Sequence, residues 1–121
     1  MIKSYKFKED FDIQMTYEEC IKACLECMEA CNGCYDACLK EDDVKMMAEC
    51  IRYNRECADI CALAAQAMQS DSPLAKQICQ FCAEICDACG KICKQHGHAE
   101  HCRKCAESCR KCTEVCRKMA S

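Results

Sequence analysis

Between Tyr17 and Met119, apolar and small residues return every three or four positions, with charged residues in the gaps. That period is the mark of amphipathic helices. Short breaks divide the pattern into four segments. Helix 1 is predicted from about Tyr17 to Lys40, opened by a capping box of Thr16 with Glu19 three residues later. Helix 2 is predicted to start after Asp42 or Asp43 and to end near Gln69. Helix 3 opens with Ser72 as N-cap and Pro73 at the first helical position, and it ends before Gly97. Helix 4 is predicted from about Ala99 to Met119. Breaks this short make consecutive helices antiparallel neighbours. The expected fold is therefore all-α, an antiparallel up-down-up-down four-helix bundle over residues 16–121. Residues 1–15 stand apart as an N-terminal extension. Their apolar cluster of Tyr5, Phe7, Phe11 and Ile13 packs across the bundle, packs against another subunit, or belongs to a partly ordered tail.

The residue that keeps the period is cysteine. Helix 1 carries Cys20, Cys24, Cys27, Cys31, Cys34 and Cys38, spaced 4, 3, 4, 3, 4. Helix 3 carries Cys79, Cys82, Cys86, Cys89 and Cys93, and helix 4 carries Cys102, Cys105, Cys109, Cys112 and Cys116, both spaced 3, 4, 3, 4. Helix 2 contributes Cys50, Cys57 and Cys61 on the same grid, with Asn54 in the skipped place. Every cysteine thus falls on an a or d position, the seam that faces a bundle axis. Ile78, Ile85 and Ile92 in helix 3, and Ala23, Ala30 and Ala37 in helix 1, flank that seam. Ordinary apolar burial has moved to the flanks, and the centre is lined with sulfur.

Composition sharpens this picture. Nineteen cysteines in 121 residues would mark a short secreted chain as a disulfide scaffold. With only 3 Gly and 1 Pro, however, the chain lacks the turn formers of such scaffolds, and an odd cysteine count leaves one thiol unpaired. The first residues lead into no apolar stretch of a secretory leader. The longest uncharged run, Ile60 to Ser70, is too short for a membrane span. A net charge of −3 gives no electrostatic footprint for nucleic acid. The reading is a cytoplasmic chain whose thiols stay reduced.

Side chains three and four apart on a helix are neighbours, so their sulfurs converge on a shared ion. Soft thiolates select Cu(I), Zn(II) and iron–sulfur clusters. Zn(II) takes closed sites of four ligands, and iron–sulfur clusters take a few cysteines held in loops. Cu(I) accepts fewer ligands, and thiolates bridge it. At one Cu(I) per thiolate no net charge is buried, and loading releases protons. Many Cu(I) ions per chain are therefore expected, and no catalytic constellation stands out. Two rivals remain: a thiol redox or disulfide-based structural protein, and a Zn(II) or Cd(II) thiolate buffer.

The stretches CIKACLECMEACNGCYDAC, RECADICALAAQAM and SPLAKQICQFCAEICDACGKIC, with the His-rich turn after them, resemble the cytosolic branch of the copper storage protein family. The resemblance covers about residues 17–119. It implies a four-helix bundle that stores many Cu(I) ions along its axis for copper detoxification, assembled as a homotetramer. The copper donor or acceptor stays unidentified.

Antiparallel topology gathers the helix 1–2 and helix 3–4 turns at one end. There stand Met46, Met47, His96, His98 and His101, all three histidines of the chain. Thioether and imidazole are weaker, neutral ligands for Cu(I), suited to a mouth that passes the ion on. Met47, His98 and His101 are candidate ligands, with solvated turn residues as the plainer reading of the histidines. Met68 and Met119, at the far end, read as core plugs. The Asn54 carbonyl accepts from a thiol or touches copper weakly, or the residue only fixes helix register, and the structural role is preferred. The pairs Arg103-Lys104, Arg110-Lys111 and Arg117-Lys118 read as a solvated face.

Overall fold

The computed structural model describes the backbone over residues 2–121 and side chains over residues 17–121. Four helices follow in order: α1 (Ile2–Leu39), α2 (Ala48–Gln69), α3 (Ala75–Gln95) and α4 (Glu100–Ala120), with a 3-10 turn over Val44–Met47 leading into α2. Each helix packs on the next, and α4 closes the square against α1. This is the expected four-helix arrangement.

The ends of α2, α3 and α4 fall close to their predicted places. The start of α1 does not. The helix runs through Thr16, so Thr16 and Glu19 cap no terminus. No Gly or Pro before Gly33 interrupts it. The side chains of Tyr5, Phe7, Phe11 and Ile13 lie outside the described residues. α3 starts later than predicted: its first residue is Ala75 and its N-cap is Leu74, which makes no side-chain cap bond, while Ser72 Oγ accepts the Leu74 N–H at 3.1 Å in the turn before the helix.

The α2–α3 turn is locked by the chain itself. Asp71 takes a left-handed φ of 52°. The Ser72 N–H then donates to Ala67 O at 2.8 Å and the Asp71 N–H to Met68 O at 3.2 Å. That pair is a Schellman motif, which satisfies the last carbonyls of α2. Asp tolerates the left-handed region better than most residues.

All nineteen cysteines are buried, eighteen of them at 0 % exposure and Cys34 at 2 %. Ile21, Met28, Ile51, Ile60, Ile78, Ile85 and Ile92 pack partly buried around them, as the flank pattern predicts. Arg103, Lys104, Arg110, Lys111, Arg117 and Lys118 are exposed, consistent with a solvated face. Two of them tie α4 to its neighbours, Lys111 to Glu26 of α1 and Arg117 to Asp87 of α3. Such exposed pairs contribute little to stability. No described helix is long and apolar enough to cross a membrane.

Candidate metal centre

The heptad grid turns into clusters of sulfur contacts along the bundle, with Asn54 bridging the one nearest the His end to the rest. In the middle of the bundle, Cys27 Sγ lies 3.8 Å from both Cys57 and Cys109. Cys57 lies 3.5 Å from Cys86, and Cys31 lies 3.7 Å from Cys105. Toward one end, Cys24 reaches Cys116 at 3.7 Å and Cys112 at 3.8 Å, and Cys20 meets Cys116 at 3.7 Å. Toward the other, Cys34 stands 3.9 Å from Cys102, and Cys50 stands 3.4 Å from Cys93. All nineteen are free thiols. The 3.4 Å contact is far longer than the ~2.05 Å of a disulfide.

These sulfurs fall into groups of four whose ligand atoms lie within 4.8 Å of one another. One group is Cys24, Cys82, Cys112 and Cys116; another is Cys27, Cys31, Cys57 and Cys109. Two more are Cys27, Cys57, Cys61 and Cys86, and Cys31, Cys89, Cys105 and Cys109. The groups overlap. Cys27, Cys31, Cys57 and Cys109 each belong to two of them, so ions in adjacent groups must share sulfurs. Separate tetrahedral sites cannot all fill at once.

Protonation follows from burial and from the sulfur neighbours. Burial and the adjacent Cys34 push the Cys102 thiol up to about 12 and raise Cys38 as well. Cys116 draws Cys79 down, but Cys20 and burial outweigh it and push that thiol up to about 12. Cys24, facing donors at Cys112 and Cys116, is held below the usual thiol range, whereas hydrogen bonding to Cys109, Cys27 and Cys31 raises Cys57. A thiolate here sits beside thiols that donate to it.

Asn54 is fully buried among the thiols. Its Oδ1 accepts from Cys89 at 3.4 Å, Cys105 at 3.4 Å and Cys93 at 3.6 Å, and its Nδ2 donates to Cys50 at 3.7 Å. One amide thus joins α2, α3 and α4. Among the described residues no buried side-chain N or O lacks a partner.

At the same end, the structure brings His101 to the sulfurs. Its Nδ1 lies 3.4 Å from Cys34 Sγ and 3.5 Å from Cys102 Sγ. With Cys38 these form a further four-ligand group. Nε2 lies 2.9 Å from Glu41 Oε1. A carboxylate only accepts, so Nε2–H donates and Nδ1 of the neutral ring is left facing the thiols. Burial opposes the imidazolium, but the bonds to Glu41 and Cys34 outweigh it and raise the His101 pKa.

The other candidates are placed differently. Met47 is packed into the core at 3 % exposure, whereas Met46 is 64 % exposed. His98 is exposed, and its ring meets His96 edge-on rather than a thiol. Met68 and Met119 are buried in the core, as plugs would be. Glu41 was missed by sequence reasoning. Its one signal was an acidic residue in the turn facing the His run.

A helical square whose core is a shared thiol seam defines a class: bundles built to hold soft metal ions. The family model for copper storage proteins matches residues 13–121, and the chain belongs to that family. The Cu(I)-bound copper storage protein BsCsp3 of Bacillus subtilis is 53% identical, over 88% of this chain and 99% of that one, with a TM-score of 0.84. A cytosolic copper storage protein from Streptomyces lividans, described with five coppers, is 39% identical over 89% of this chain and 94% of its own, with a TM-score of 0.86. The uncharacterized cysteine-rich protein YhjQ of Bacillus subtilis is 55% identical over 66 residues. That match spans 61% of the relative's length and 54% of this chain.

Proposed function

We propose that this chain stores and detoxifies Cu(I) in the cytosol, held by thiolates along the bundle core. The sharing of Cys27, Cys31, Cys57 and Cys109 between adjacent four-sulfur groups carries the reading. Bridged sulfurs suit Cu(I), which accepts few ligands, and disfavour closed tetrahedral Zn(II) sites. Family membership supports it, as does the description of the Streptomyces relative as cytosolic. The role is storage, without catalysis. The nineteen cysteines are the ligands, with His101 joining Cys34, Cys38 and Cys102. His98 and Met47 serve the mouth, and Asn54 orders the empty thiols. Residues 16–121 form the storage domain and 1–15 its extension. The homotetramer is carried over from the family resemblance.

The test is anaerobic titration of reduced protein with Cu(I) against a competing chelator, beside Zn(II). Tight uptake that ends near one Cu(I) per cysteine, with a ceiling of nineteen, is expected. Saturation at about four Zn(II), with Cu(I) held no more tightly, would overturn it.

A further inference from the structure

One ligand group differs in kind from the others. Three of the four all-cysteine groups share members with one another, through Cys27, Cys31, Cys57 and Cys109. Cys34, Cys38, Cys102 and His101 share no ligand with any of those four groups. Cys34 Sγ lies 3.9 Å from both Cys38 and Cys102. His101 Nδ1 lies 3.4 Å from Cys34 and 3.5 Å from Cys102. A tetrahedral Zn(II) at its usual bond lengths sets its sulfurs about 3.8 Å apart and a nitrogen about 3.6 Å from each sulfur. The group therefore has the size of a closed zinc site of three cysteines and one histidine.

Charge separates it from the all-sulfur groups. Zn(II) on four thiolates carries a double negative charge, which the buried core would have to hold unpaired. That objection applies to Cys24, Cys82, Cys112 and Cys116 as well, all at 0 % exposure. One imidazole in place of one thiolate halves the charge, and the His101 side chain is 25 % exposed. The imidazole is also already set. Its Nε2–H donates to Glu41 Oε1 at 2.9 Å, which leaves the Nδ1 lone pair for an ion. A carboxylate behind a ligating histidine fixes its tautomer and orientation in this way at zinc sites.

We propose that Cys34, Cys38, Cys102 and His101 form a discrete Zn(II) site, which ties α1 to α4 at one end of the copper-free core. The proposal goes beyond the copper reading and does not rest on it. A hydrated ion can reach this group. The groove between α1 and α4, about 670 Å³, is lined by Gly33, Cys34 and His101 among others, and a Cβ added at Gly33 would meet nothing within 4 Å. On the other side of α4 the helices already touch, since a Cβ added at Gly90 would stand 3.1 Å from Cys109 Cβ. Binding is a proton exchange without redox chemistry. Each thiol of the three that still carries a proton gives it to solvent as its sulfur bonds to zinc, and the ion sheds its waters.

The test gives one equivalent of Zn(II) to reduced, metal-free, full-length protein without oxygen. X-ray absorption at the zinc edge should find three sulfurs at about 2.3 Å and one nitrogen at about 2.0 Å. Four sulfurs, or zinc left in its hydrated form, would overturn the site. Competition with a chromophoric chelator should show the first equivalent held more than about tenfold tighter than the second. His101→Ala should abolish that difference, and Glu41→Gln should weaken the first equivalent about tenfold. His96→Ala removes a ring that meets His98 edge-on, and it should bind like wild type. An unchanged first equivalent in His101→Ala, or an equal loss in His96→Ala, sinks the assignment. Cu(I) titration of the same preparation keeps the two readings apart. Full copper uptake without a tight zinc ion defeats the zinc site alone, and a tight zinc ion without copper uptake defeats storage alone.

Discussion

At one end of the core, Glu41 grips His101, and Asn54 gathers the thiols of Cys89, Cys93 and Cys105. At the other end, among the described residues, no such polar apparatus reaches the thiols. Met68 and Met119 fill it, Ala64, Ala65 and Ala67 line it, and the Schellman turn at Asp71 closes α2 tightly onto α3. The sulfurs themselves differ little: Cys20–Cys116 and Cys34–Cys102 are 3.7 and 3.9 Å apart. One thiol store is therefore bounded by a wet, hydrogen-bonded end and a dry, packed one. Ligand exchange needs neutral donors that can release an ion; among the described residues the first end supplies the imidazole of His101, and the second has only the buried thioethers of Met68 and Met119. The second can only hold.

The dry end should carry the larger share of mechanical stability. Met68→Ala removes a buried side chain from a close-packed plug, which costs about 2–5 kcal/mol. Urea unfolding of the reduced apo protein measures it. Initial Cu(I) uptake should be unchanged. If uptake slows as much as in a variant of the mouth, the division between the ends is wrong.

Asn54→Ala should come next. Its loss strips four thiols of their amide partner, at about 1–3 kcal/mol in the apo protein. The loss should shrink in the copper-loaded protein, where those thiols have no proton to donate, and copper content should stay the same. A drop in content by one ion or more would make Asn54 a ligand rather than an organiser.

Alkaline titration is a count on which the ends should agree. The Cys102 thiol at the mouth and the Cys79 thiol at the dry end are both raised to about 12. The native state then keeps protons that the unfolded chain gives up, so apo stability is full below about pH 9 and falls as pH climbs toward 12. Cys79→Ala and Cys102→Ala should each flatten that decline, by similar amounts, in urea midpoints read across pH. A flattening confined to one end would show that the two sulfur environments differ after all.

How much of this was legible before the structure follows from what carries each feature. The seam was legible because it is local: a 3-4-3-4 spacing fixes the face on which Cys79 to Cys93 lie whatever the partners are. The α2–α3 break was legible for the same reason. The start of α1 was not, since Thr16 with Glu19 can cap a helix but equally sits inside one when no breaker precedes it. Which histidine turns inward was half legible. His101 follows from its place beside Cys102, but His98, two residues after the end of the α3 pattern, swings out to meet His96. Glu41 was illegible because its role depends on two turns meeting across sixty residues of chain. The difference between Gly33 and Gly90 is likewise invisible in a helical pattern. Both interrupt a cysteine run, and only the distance between helices tells an open gap from a tight contact.

The smallest expected effect tests the wet end most specifically. The His101–Glu41 pair is partly exposed, at 25 and 37 % for the two side chains, so it contributes under about 1 kcal/mol. Its sign is still diagnostic. The folded pKa of His101 is raised above the ordinary 6.5, so the contribution is fully present below about pH 6.5 and is lost as pH rises through the folded value. Glu41→Gln removes the charge but keeps an acceptor for Nε2–H. It should therefore lower apo stability at pH 6 and scarcely change it at pH 8, as urea midpoints at the two values will tell. Met119→Ala, at the dry end, should lose the same amount at both. If Glu41→Gln behaves like Met119→Ala, the glutamate is only packing, and the mouth loses the group that turns Nδ1 toward Cys34.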